Sequence, residues 1–144
     1  MKFLLDTSVI VAALVEPHPM HERALAWLRR AKAKENELVV ASHTLAELYA
    51  VLTTLPVTPR ISSGIAWRLI HENIETSAKI ISLSASEYNI VIKRLSDQGI
   101  HGAIVYDALI AQVAKKLDVD RLLTLNPDDF NRIWPEGSSI VTVP

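Results

Sequence analysis

Three short runs of this chain show no alternation of apolar and polar residues: Phe3-Leu4-Leu5, Leu38-Val39-Val40-Ala41 and Leu122-Leu123-Thr124-Leu125. A strand with one face in water alternates with a period of two, so such runs call for cover on both faces. The segments between them carry helical patterns instead. Few folds satisfy both conditions. The expected one is a three-layer α/β/α sandwich with a mainly parallel central sheet.

The intervening segments read as follows. Ser8 is expected to cap a helix that ends near Leu14, before Glu16-Pro17. A second helix is expected from about Met20 to Ala33, with Ala24, Leu25 and Leu28 inward. A third should run from Thr44 to Thr54 and stop ahead of Pro56. Ile61, Ile65 and Leu69 recur at helical spacing in a segment that reaches Glu75. Lys79 to Leu83 reads as a strand, and Ser84 with Glu87 as a capping box for a helix that Gly99 ends. After the loop Gly99-Ile100-His101-Gly102 comes a nearly all-apolar helix, Val105 to Leu117. Asn126 to Asp129 reads as a turn and Ile140 to Val143 as a last strand.

Composition narrows the function. With 144 residues, 49% of them hydrophobic, one domain over 1–144 can bury a real core. The chain has no cysteine, which excludes disulfides and thiolate metal sites. No apolar run reaches the roughly 20 residues of a membrane span, and Asp6 interrupts the first apolar run too early for a targeting core. A cytoplasmic protein without a membrane is expected. The formal net charge is −1, so a nucleic-acid surface would have to be local. Candidate basic groups are Arg29-Arg30 with Lys32 and Lys34, Arg60, Arg68, Lys93-Arg94 and Lys115-Lys116.

Acidic residues fall where a parallel sheet binds ligands, beyond the carboxyl ends of its strands. Asp6 follows the first strand, Glu47 lies early in the helix after the second, and Asp107 opens the apolar helix. Asn126 and Asp129 follow the fourth strand. Each has a plainer reading: Asp6 as a helix cap, Glu47 as the capping-box partner of Thr44, Asp107 as a helix-dipole residue, Asp129 as a turn former. Asp6 and Asp107 sit in apolar surroundings, however. Two carboxylates ~4 Å apart repel by ~4 kcal/mol at an effective dielectric of 20. If they converge, a cation belongs among them. Oxygen donors without sulfur select a hard divalent ion such as Mg²⁺, for which Mn²⁺ can substitute.

The segments LLDTSVIVAAL, SHTLAELYAVLTTLP, GIHGAIVYDALIAQVAKK and LLTLNPDDF resemble the PIN-domain family, and within it the VapC-type toxins of toxin–antitoxin pairs. The resemblance runs the length of the chain, in order, and is most specific in YDALIAQVA and LTLNPDDF. It implies a metal-dependent endoribonuclease with Asp6, Glu47 and Asp107 as catalytic and metal-binding residues. Asn126 stands where the family often has aspartate, with Asp129 as a nearby acid. Thr7, Ser8 and Thr124 match the small polar residues lining the site. An RNA substrate, a small antitoxin partner and a homodimer are implied as well. The alternative is a PIN-fold binding module whose site has decayed at Asn126.

Overall fold

The computed structural model describes residues 1–144. Five parallel strands form one sheet in the order β3-β2-β1-β4-β5. They are β1 (Lys2–Leu5), β2 (Glu37–Ala41), β3 (Lys79–Ile81), β4 (Arg121–Leu123) and β5 (Val141–Thr142). The helices are α1 (Thr7–Leu14), α2 (His21–Ala31), α3 (Ser42–Thr54), α4 (Ser63–Ile70), α5 (Ala85–Asp97), α6 (Ile104–Leu117) and α7 (Pro127–Ile133). The unalternating runs explain themselves in the core. Phe3, Leu5, Leu38, Val40 and Leu123 face a core under α1–α4. Leu4, Val39, Ala41 and Leu122 face a second core under α5–α7. The expected sandwich is therefore present, and its strands are buried on both faces.

The chain reverses its winding at β1, which pairs with β2 on one side and β4 on the other. The crevice beyond the carboxyl ends of β1 and β4 is thus the topological switch point, where open parallel sheets bind ligands.

Several local expectations change. Asp6, not Ser8, caps α1: it is extended (φ −80°, ψ 172°) and accepts from the Val9 backbone N–H. Helix α3 begins at Ser42 behind Ala41, so Thr44 and Glu47 already lie inside it and form no capping box. Helix α4 starts at Ser63, capped by Ser62, and its continuation widens into a π-turn at His71–Glu75. Asn126 to Asp129 is the start of α7 rather than a free turn, with Pro127 in the first helical turn, where its missing N–H is not needed. The box of Ser84 and Glu87 is present on α5 as expected. The strands β3 and β5 are shorter than the sequence pattern suggests, and β4 ends at Leu123, two residues before the end of the apolar run.

Candidate functional site

Three elements meet at the switch point through Asp6, which is 2% exposed. Its Oδ1 accepts from Val9 N–H (3.0 Å) and from the Ser8 hydroxyl (2.6 Å). Its Oδ2 accepts from the Thr124 hydroxyl at 2.5 Å. Ser8 in turn accepts from Leu125 N–H, and Thr124 from Asn126 N–H. The end of β1, the start of α1 and the end of β4 are thereby tied to one carboxylate. Burial pushes the Asp6 carboxyl above the usual range, and the bonds from Ser8, Thr124 and Val9 only partly oppose it. A carboxylate offers about four acceptor positions, so one lone pair of Asp6 is left for a ligand.

Glu47 comes from α3. Its Oε2 accepts from the Thr7 hydroxyl at 3.3 Å, while Oε1 is buried and has no hydrogen-bond partner. His43, one turn earlier, brings Nε2 to 3.4 Å of that Oε1 without hydrogen-bonding geometry, and both atoms stay unpaired. Burial holds His43 below the usual imidazole range, which keeps it neutral. Burial raises the Glu47 carboxyl, opposed by Thr7 and reinforced by the charge of Asp6. Asp107, in the first turn of α6, is pushed up to about 7 by burial and then by the charges of Asp6, Asp129 and Glu47.

These groups open onto a cleft of about 420 Å³. Asp6, Thr7, Ser8, Glu47, Asp107 and Asn126 line it, as the sequence suggested. Thr124 does not: it is fully buried behind Asp6 and acts by holding that carboxylate. Asp129 also lies outside the lining, exposed on α7, and reaches the site through its charge on Asp107. His101 belongs to a different cavity, beside α5 and the start of α6.

Besides the apolar Val11, Val51 and Leu125, one polar lining residue is not among the sequence candidates. His18 comes from the loop between α1 and α2, flanked by Pro17 and Pro19, and lines the cleft. Met20 N–H donates to its Nδ1 at 3.0 Å. An imidazole that accepts at Nδ1 carries its proton on Nε2 when neutral, so His18 offers a fixed donor. Only the flanking prolines hinted at it, because nothing in the spacing shows that this loop folds back to the switch point.

No three of the acidic or imidazole side chains already stand in a metal-ligating arrangement. The donor set nevertheless fits a hard divalent cation: Asp6 has a spare lone pair, Glu47 a buried unpaired oxygen, and Asp107 a carboxyl strained by its acidic neighbours.

A family model described as the PIN domain matches residues 3–133. Ribonuclease VapC27 of Mycobacterium tuberculosis is 36% identical over 109 residues, which span 76% of this chain and 74% of that protein. The structure of VapBC2 from Rickettsia felis, bound to a DNA fragment from their promoter, superposes with a TM-score of 0.71 at 23% identity, covering 100% of this chain and 99% of the other. VapC20 of Mycobacterium tuberculosis, described as a sarcin–ricin loop cleaving toxin, gives 0.65 at 17% identity over 83% of this chain and 86% of its own. The chain belongs to the PIN-domain family and is of the VapC type.

Proposed function

We propose that this protein is a Mg²⁺-dependent endoribonuclease and the toxin of a toxin–antitoxin pair. The observation that carries the reading is the convergence of Asp6, Glu47 and Asp107, from three separate elements, on one cleft at the switch point. The ribonuclease name of the 36%-identical relative supports the substrate class. Asp6 and Asp107 would hold the cation, with Glu47 and the amide oxygen of Asn126 beside them and Asp129 contributing charge. The chemistry such a cation brings is Lewis acidity at a phosphoryl oxygen and a lowered pKa for water.

The chain's own groups do the rest. Asp6 is immobilised by its donors from Ser8, Val9 and Thr124, which fixes the position of its free lone pair. Thr7 holds one oxygen of Glu47, and the Glu47 carboxylate, which lines the cleft, orients the attacking water and takes its proton. His18 presents Nε2–H to a non-bridging oxygen of the scissile phosphodiester.

Incubating the protein with structured RNAs, with and without Mg²⁺, tests the reading; Mg²⁺-independent or absent cleavage sinks it. Glu47→Gln should lower cleavage about a hundredfold, the lower end for an acid–base group. Its melting temperature should not fall, because Glu47 caps nothing and its buried oxygen is unpaired. Full activity in this variant would remove Glu47 from the chemistry. For His18, Asn and Gln separate two roles. Asn keeps an acceptor near the Nδ1 position but places no donor at the Nε2 position, whereas the longer Gln can place its amide N–H there. His18→Asn should raise KM about tenfold, the value of a hydrogen bond to a charged group, with His18→Gln less affected. Equal KM in His18→Asn and wild type would exclude this hydrogen bond.

The antitoxin and the homodimer belong to the same proposal. Trp67 is 58% exposed, with Ile65, Ile90 and Ile92 also exposed on α4 and α5. These helices pack on opposite faces of the sheet, so the exposed apolar groups form two separate patches.

A further inference from the structure

On the face covered by α5–α7 lies a second polar cleft, of about 410 Å³. Its lining includes Arg94 and Gln98 at the end of α5, Lys115 on α6, and Arg132, Trp134 and Glu136 around the end of α7. Three cations meet one carboxylate there. The neighbouring cations differ sharply from them. Lys93 pairs with Asp97, and Lys116 pairs with Glu87 at 2.9 Å. Arg94 and Lys115, each adjacent in sequence to one of those lysines, take part in none of the chain's ion pairs, and neither does Arg132. The Arg94 Nε is buried and has no acceptor. Burial holds the Lys115 ammonium below its usual range, the charge of Arg94 adds to this, and Glu136 only partly opposes it.

The wall of this cleft is firm. Lys115 Nζ lies 5.2 Å from the centre of the Trp134 ring. Gly137 packs against the same ring so closely that a Cβ there would stand 2.3 Å from a ring carbon. Trp134 is therefore fixed against the backbone, and Lys115 lies over its ring.

We propose that this cleft is a phosphate-binding site that engages the RNA backbone away from the point of cleavage. The donors suit a phosphate: a guanidinium fork, a compact ammonium and an amide, with a further guanidinium at the rim. Side chains of these types bind the phosphates of nucleic acids without reading sequence. Asp107 and Lys115 lie eight residues apart on α6, about 12 Å of helix rise, and the stretch between them is buried under α5 and α7, so an RNA that touches both passes over those helices. The identity of the ligand rests on the ribonuclease reading, while the existence of the anion site does not.

The test is equilibrium binding of a fluorescent single-stranded RNA, long enough to span both sites, to the full chain in EDTA. Lys115→Gln/Arg132→Gln removes two charges and should weaken binding about tenfold at 0.1 M salt. The slope of log Kd against log salt should fall by about 1.4, or ~0.7 for each phosphate that is no longer neutralised. The control, Lys93→Gln/Lys116→Gln, removes the same net charge from cations that are already paired and should leave both quantities within twofold. Equal weakening by the two double variants would reduce the effect to bulk charge and overturn the proposal. Wild-type RNA affinity in the first variant would overturn it too, whatever acidic protein the cleft then held. A third arm titrates inorganic phosphate while following the Trp134 indole N–H resonance. A phosphate-induced shift that the first double variant abolishes, in a protein that binds no RNA, would uphold the site with a free phosphate ester as ligand. It is the ribonuclease reading that would then fall.

Discussion

Asp6→Asn should abolish Mg²⁺-dependent RNA cleavage, by roughly a thousandfold or more, the scale of several kcal/mol expected from a metal site. The effect on stability should be small and of either sign, because two changes oppose each other. Asn retains Oδ1, so Val9 N–H and the Ser8 hydroxyl keep their acceptor. The new amide would point donors at Thr124 Oγ1, which already accepts from Asn126 N–H, and the Thr124 hydroxyl would lose its acceptor. A buried unpaired polar group costs about 1–3 kcal/mol. Against this stands relief from burying a charge at a position 2% exposed. Asp6→Ala loses the cap as well and should melt well below Asp6→Asn. Cleavage assays on Asp6→Asn with matched thermal melts separate the roles. Wild-type cleavage in a folded variant would contradict the metal-site role of Asp6. Unfolding of Asp6→Asn would show that its main work is structural.

The fold was legible because its strongest signal is physical and local. Phe3-Leu4-Leu5 and Leu38 to Ala41 lack polar residues, and burial on both faces is the only state that suits them. The same locality explains what went wrong. Thr44-Leu45-Ala46-Glu47 has the spacing of a capping box, yet α3 starts two residues earlier, at Ser42, where the extended backbone of β2 ends at Ala41. A motif of four residues cannot show where the strand before it stops. Asp6 carried two readings, cap and site residue, and the structure makes it a cap that also lines the cleft. The resemblance places Thr124 among the lining residues, but strand alternation turns it inward, behind Asp6. His18 depends on a loop path that no periodicity encodes.

The acidic cluster should also govern how stability responds to pH. The Asp107 carboxyl is raised from about 3.8 to about 7 in the folded protein. Between those values the folded chain holds a proton that the unfolded chain has released, so stability falls as pH rises through that window and levels off above about 7. Asp6 and Glu47 are raised as well, so they add to the slope in the same direction. Thermal melts in EDTA should therefore show a falling melting temperature from pH 5 to pH 8. Asp107→Asn should flatten that slope without removing it, and should melt above the wild type at pH 8, where its partner carboxylates are charged. Asp129→Asn should act the same way but more weakly, since its charge ranks below burial and Asp6 in raising Asp107. A divalent cation reverses the sign, because it binds the ionised carboxylates and must displace the Asp107 proton below pH 7. Mn²⁺ binding measured by calorimetry at pH 6 in two buffers of different ionisation enthalpy should then report proton release, and Asp107→Asn should lose most of that release along with most of the affinity. A wild-type melting temperature that is flat from pH 5 to pH 8 would mean that neither burial nor the neighbouring charges raise these carboxyls in the folded protein. Mn²⁺ binding without proton release would mean that Asp107 is not among the groups that hold the ion.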